Sequence, residues 1–334
     1  MGTDQAGQFG LFGQGVTPSG RSIDPVACDR AVTDLASRLP ATLRLGTSSW
    51  SFPGWAGLVY EGETSEAKLA QSGLPAYSAH PLHRTVGLDR AFYRVPSINE
   101  YRGLAASVPE GFRFLVKAWR AVTDPTDWGG NTADQNRFLD AALAEDQIVA
   151  PSVLGLGPTL GPLLFQFPPL GLTQSDIGSF LGRLDAFLER LPRRDNGPLY
   201  AVELRDSVVF REHWAVELAT ILRSQRVALG FAHHPRLPSI DEQRAAMERG
   251  GWPVEAQPAC VCRWLLRQGL GYVEAKEMYF PFKQLRDPDP VTRRLVADLA
   301  RAALGEGLET WVIINNKAEG SAPRSVHELA NEIA

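Results

Sequence analysis

Three cations and two carboxylates close short apolar runs in this chain: Lys117, Arg205 and Arg263 against Asp89 and Glu203. Cations in a partly desolvated cleft need an anion, from the protein or from a ligand. Glu203 and Arg205 lie two residues apart, so on a strand they share a face. One arginine can then orient the carboxylate while the other cations remain for a bound phosphate, carboxylate or developing oxyanion. Glu203 is the resulting candidate for general acid or base. Lys117, alone at the end of its run, has the setting in which desolvation beside other cations activates an amine for Schiff-base chemistry. The competing reading is a satisfied ion-pair network of Glu203, Arg205 and Arg263 that closes a core.

Other residues at comparable positions suggest binding. Trp50 and Tyr93, with Trp55 and Tyr60, can form an aromatic wall for a sugar or base, or can simply pack. Gln166, Asn315 and Asn316 can hold hydroxyls or backbone groups, and the two asparagines fit a hydrogen-bonded turn equally well. His234 can supply a ligand contact or an acid, but its neighbour His233 points the other way on a strand, so the two do not share a metal. Asp89, Glu203 and His234 are scattered among Lys and Arg, which argues against a divalent metal, and no cofactor motif is present. Cys260 and Cys262 fall on one strand face among apolar neighbours and read as buried, reduced thiols.

Eight runs must position these groups: 43–50, 84–89, 112–117, 163–167, 200–205, 227–234, 260–264 and 310–316. Each is rich in β-branched or aromatic residues, and helical patterns fill the gaps. This alternation predicts an α/β fold, a single (β/α)8 TIM-type barrel with a closed parallel sheet, whose strand ends converge on one mouth. Within the runs, Leu115 and Lys117, Leu164 and Gln166, Ala201, Glu203 and Arg205, Val261 and Arg263, and Trp311, Ile313 and Asn315 should point inward. Gly46, Ser48 and Trp50 should do the same on the first run, and Gly87 and Asp89 on the second. The sixth run is ambiguous, and the small face of Ala228, Gly230, Ala232 and His234 is assigned inward.

Residues 1–22 read as a mobile tail, 23–42 as a helical extension starting at an Asp24 cap and covering the barrel bottom, and 43–334 as the barrel. Capping boxes are expected at Ser97 with Glu100 and at Thr132 with Gln135. Further helices are expected from Thr173, around Trp214 to Leu222, and over 240–249, 291–304 and 325–333.

With 44% apolar and 22% charged residues and a net charge of −4, the chain has no overall basic footprint for nucleic acid or anionic membrane. No apolar run reaches the ~20 residues of a membrane span, and no basic-then-apolar leader opens the chain, so a cytoplasmic protein is expected.

The ordered segments LGTSSWSFPGW with Tyr60, FYRVPS, GFRFLVKAWRAVT, LLFQFPP and VELR resemble the YecE-like family, domain of unknown function seventy-two, over residues 43 to 330. The resemblance implies a single α/β barrel of unassigned activity, with mouth residues at Trp50, Tyr93, Lys117, Gln166, Glu203, Arg205, Arg263 and Asn316. Departures fall at Gly87 and Asp89, where the family pattern has Glu-x-Asn, at Asp124 and Asp206, where it has His, and at Arg324 and Ser325, where it has Asn-Ala. Two proton shuttles are thereby lost, for which His233, His234 or the NNKAEGSAP segment can compensate.

The leading expectation is a metal-independent enzyme acting on a small anionic or polyhydroxylated substrate, with Glu203 as acid/base. Arg263→Ala should then weaken ligand binding at little cost to folding. Alternatives are a nucleic-acid-processing barrel, by fold analogy alone, and a non-catalytic ligand-binding barrel.

Overall fold

The computed structural model describes residues 22–126, 137–193 and 197–334. Residues 1–21 of the expected tail and the capping box at Thr132 and Gln135 lie outside the described residues. Eight parallel strands form a closed barrel in chain order. They are β1 Leu43–Thr47, β2 Thr85–Leu88, β3 Arg113–Lys117, β4 Leu160–Gln166, β5 Tyr200–Glu203, β6 Ala228–His233, β7 Cys260–Trp264 and β8 Thr310–Ile314. β8 pairs with β1 from Leu43↔Thr310 to Thr47↔Ile314, which closes the ring.

Strand alternation sorts the core into two parts. Leu115, Leu164, Ala201, Ala228, Val261, Trp311 and Ile313 form a small cluster inside the barrel. Gly161 on β4 leaves room for Trp311, since a Cβ there would stand 3.2 Å from its indole Nε1. The alternate residues, among them Val86, Phe114, Val116, Phe165, Val202, Phe231 and Val312, join the larger outer core with the helices. The Ile177–Arg190 helix is typical, burying Ile177, Phe180, Leu181, Leu184, Phe187 and Leu188 on one stripe. Ala228 takes its place inside, which resolves the sixth strand in favour of its small face. The thiols of Cys260 and Cys262 are buried outside, and burial pushes that of Cys260 up to about 12.

Helix starts follow capping chemistry. Ser97 and Glu100 form a reciprocal box at the Ile98–Ala105 helix, and Asp289 with Pro290 opens the Pro290–Gly305 helix. The N-terminal helix differs from expectation, since it runs Arg30–Arg38 with Asp29 as cap, and not from Asp24. The Asp24 carbonyl is already engaged by Glu61 N–H, and Val26 N–H bonds Val59, so this stretch bridges to the β1 loop and cannot begin a helix. The Arg84 guanidinium, one residue before β2, donates to the carbonyls of Ala36 and Pro40, which ties the helix end to the N-terminal end of the barrel.

An insertion between β7 and the Pro290–Gly305 helix carries a helix, Tyr272–Tyr279, that the sequence reading passes over. That helix buries only Ala275 and Tyr279, so its periodicity is faint. Leu266, Ala275, Tyr279 and Phe282 give the insertion a small core of its own. Phe282 meets Phe52 edge-on at 5.6 Å, so the insertion leans across β8 onto the β1 loop.

Candidate functional site at the barrel mouth

The strand ends bring five charged groups together. Arg263, at the end of β7, reaches in two directions. Its Nη1 donates to Glu203 Oε2 at 3.1 Å, and its Nη2 spans both Asp89 oxygens at 3.1 Å. Arg205 places Nε and Nη2 each 2.5 Å from Glu203 Oε1. Glu203 is thus clamped by two arginines and fully buried. Burial alone would push its carboxyl up, but Arg205, Arg263 and Lys117 hold it below the usual carboxylate range. Asp89 differs, because a third of its side chain is exposed.

Lys117 completes the group from the end of β3. It is 9% exposed, and its Nζ lies 3.6 Å from the centroid of the Phe92 ring. Among the described residues neither an ion pair nor a hydrogen bond engages its amine, which rests against the Phe92 ring. Burial pushes its pKa down to about 7, with Asp89 pulling upward and Arg263 and Arg205 pushing further down. Three cations face two carboxylates, so a positive charge is left over.

Gly230 on β6 makes this packing possible. A Cβ there would stand 3.0 Å from both Glu203 Cβ and Leu164 Cδ1. Gly230→Ala is therefore expected to cost about 1–2 kcal/mol of stability, read by urea unfolding, as overpacking does. An unchanged midpoint would mean that the inner face has slack that this packing does not contain.

The remaining predicted residues divide. Gln166 is buried at the end of β4 in register with Glu203. His234 follows β6, and its Nδ1 accepts from Arg236 N–H at 3.2 Å. Burial, followed by Arg205, pushes its pKa down to about 4, so it is neutral near pH 7. Tyr93 is half-buried beyond β2, and burial followed by Asp89 pushes its phenol up. Asn315 Nδ2 donates to Ser48 Oγ at 2.8 Å, which links the ends of β8 and β1 at the mouth.

Two expected binding residues are packed away. Trp50 is 2% exposed, donates its indole N–H to Leu69 O, and carries the Arg90 guanidinium 4.5 Å from its ring. β1 ends at Thr47, so strand alternation no longer governs position 50. Asn316 is 1% exposed and accepts from Trp55 Nε1 and from Ala322 N–H at the start of the Ala322–Ile333 helix. It pins a loop and does not face the mouth with Asn315.

The positions that depart from the family pattern also have definite contacts. Asp206 accepts from Leu170 and Leu172 N–H, fixing the loop after β4. Asp124 accepts from Thr126, and Arg324 Nε donates to Lys283 O. At Gly87 a Cβ would meet Asp89 Oδ1, Ile313 Cγ2 and Ser48 Cα at 3.5 Å each, so this position packs directly beside that carboxylate. An open cleft of about 290 Å³, lined by Leu172, Thr173, Gln174, Asp206 and Arg211, lies between the loops after β4 and β5.

Lys317 was missed by alternation. It lies three residues beyond β8, where strand periodicity has ended, and only the NNKAEGSAP segment points toward it. It is 6% exposed, with Nζ 3.4 Å from Asn315 Oδ1 and 4.1 Å from the Tyr272 ring centroid.

Comparison with other proteins agrees with this architecture. No curated protein matches the chain. Among solved structures, a DUF72 family protein from Enterococcus faecalis V583 superposes with a TM-score of 0.57 at 21% identity, covering 87% of this chain and 95% of that one. One from Thermotoga maritima MSB8 gives a TM-score of 0.56 at 20% identity, covering 86% of this chain and 98% of that one. At such identities the likeness extends to the fold alone. The profile described as "Protein of unknown function DUF72" matches residues 44–334, the whole barrel with its mouth, and the chain therefore belongs to the DUF72 family.

Proposed function

We propose that the barrel mouth binds a small anionic, hydroxyl-bearing ligand and that Lys117 gives or takes a proton there. The observation that supports this is the surplus cation: Lys117 is nine-tenths buried and has no carboxylate within ion-pair distance among the described residues. Such an amine is stabilised by an arriving anion. The acid/base role read from the sequence for Glu203 passes to Lys117 in this proposal. A carboxylate sealed from solvent and clamped by Arg205 and Arg263 is a poor proton carrier, whereas an amine with a pKa of about 7 exchanges its proton near neutrality. Glu203 and Arg263 then act as a fixed frame, with Asp89 as the partly exposed carboxylate beside the ligand.

A thermal-shift screen of sugar phosphates and hydroxy acids at pH 6, followed by calorimetry, tests the reading. At least one compound should stabilise the wild type, and Lys117→Met should weaken it at least tenfold. Affinity should also fall as pH rises through about 7, because Lys117 loses its proton there. A screen without hits, or a hit that binds Lys117→Met equally well, would remove the proposal. Turnover of the hit by the wild type, lost in Lys117→Met, separates an enzyme from a ligand-binding barrel.

A further inference from the structure

Lys317 is a second buried cation at the same mouth. It arrives from the loop after β8, whereas Lys117 arrives from β3, so β1 and β2 separate their strands. Its position is held from three sides. Asn315 is oriented by its Nδ2 bond to Ser48 Oγ, which turns Oδ1 toward the lysine. That oxygen accepts from both the backbone N–H and the Nζ of Lys317, at 3.0 and 3.4 Å. The Tyr272 ring covers the amine at 4.1 Å, and Phe282 lies at 5.9 Å, contacts that favour a localised cation.

Among the described residues no carboxylate pairs with Lys317 within 4.0 Å, although it is 6% exposed. Lys276, exposed on the same helix as Tyr272, adds further positive potential. Asp89 lies within electrostatic reach of both lysines, but it is already bonded to Arg263 by both oxygens. The mouth therefore holds Lys117, Arg205, Arg263 and Lys317 against Asp89 and Glu203, two cations in excess and located on different sides. Tyr272 is itself exposed, so its ring is the solvent-facing cover of the Lys317 amine.

We propose that Lys317 is a second anion-binding residue of this mouth, and that the ligand is a short-chain molecule carrying an anionic group at each end, one taken by Lys117 and the other by Lys317. This rests on the anion-binding reading of the mouth and specifies the ligand class. A single small anion engages one lysine, whereas a dianion of sufficient length engages both and gains the effective concentration of a tethered group. Burial supports the assignment, since it pushes the Lys317 amine down to about 8, with Lys276 adding to the effect and Asp89 opposing it.

The experiment is calorimetry at constant ionic strength with propionate, succinate, glutarate and adipate on the wild type, Lys317→Met and Lys317→Arg. In the wild type the best dicarboxylate should bind at least tenfold tighter than propionate. The advantage should drop to about twofold, the statistical factor for two equivalent ends, in Lys317→Met, and most of it should return in Lys317→Arg, whose side chain keeps the charge. A dicarboxylate advantage that survives in Lys317→Met, or is absent from the wild type while propionate still binds, overturns this inference and leaves the anion site standing. Failure of every carboxylate to bind the wild type overturns the dianion inference, while the anion site itself stands or falls with the sugar phosphates and hydroxy acids. Should Lys317→Met fail to fold, the side-chain ¹³Cε resonance of Lys317 in the wild type decides. It should move on addition of the best dicarboxylate and stay fixed with propionate, and equal responses would contradict the assignment.

Discussion

Lys117→Met should make the protein more stable, by about 2–4 kcal/mol at pH 6, and the gain should shrink as the pH is raised. In the fold the amine is pushed from its ordinary 10.5 down to about 7, chiefly by burial. A shift of that size corresponds to a cost on the order of 5 kcal/mol for keeping the charge in place, which relaxation around the amine reduces. Below pH 7 the folded and unfolded chains both carry the proton, and the full cost is felt. Between about 7 and 10.5 only the unfolded chain holds it, so wild-type stability rises with pH, by at most about 1.4 kcal/mol per unit. Methionine fills a similar volume beside Phe92, carries no charge and leaves Arg205 and Arg263 balanced against Asp89 and Glu203. Denaturant unfolding of both proteins at pH 6 and pH 9 measures the gap. A gain at pH 6 that has narrowed at pH 9 is expected, and a destabilised variant would mean that Lys117 is a structural cation.

Arg263→Ala should act in the opposite direction, with a loss of about 3–5 kcal/mol, because it removes one partner of a buried network and leaves charge uncompensated. Arg263 is 2% exposed and is the group that joins Glu203 to Asp89. The sequence alone leads to the expectation that the change costs little folding, and the buried network leads to the opposite one. Burial between two carboxylates could not be read from strand alternation, which gives the face a side chain points to and not what it meets there. The double variant Arg263→Met with Asp89→Asn should recover much of the loss, since it removes one charge of each sign and leaves Glu203 paired with Arg205. If Arg263→Ala unfolds at the wild-type denaturant concentration, the network contributes nothing to the frame. If the double variant is as unstable as the sum of its singles, the two groups are not coupled.

The barrel was legible in the sequence because its signal is local and repeated. Period-two runs ending in polar residues, separated by helical stretches, give the eight strands, and the face alternation correctly groups Leu115, Leu164, Ala201, Val261, Trp311 and Ile313 inside. It also brings Lys117, Glu203 and Arg263 to one place. Legibility ends where the strands end. Trp50 lies three residues past β1 and packs under Leu69, and Lys317 lies three residues past β8 and returns to the mouth. Loop geometry determines both, and periodicity carries no information about it. The Tyr272–Tyr279 helix is hidden for a related reason: it buries too little surface to leave a pattern, although Tyr272 forms the cover over Lys317.

Among the described residues no helix is long and apolar enough to cross a membrane. The charge at the mouth is what sets this barrel apart from a packed scaffold, and it can be observed directly. A ¹³Cε-lysine NMR titration, assigned with Lys117→Met and run with and without sulfate, follows the Lys117 amine itself. The account predicts a midpoint of about 7 in the free protein, moving upward when sulfate binds. A midpoint near the ordinary 10.5, or one indifferent to sulfate, would contradict it.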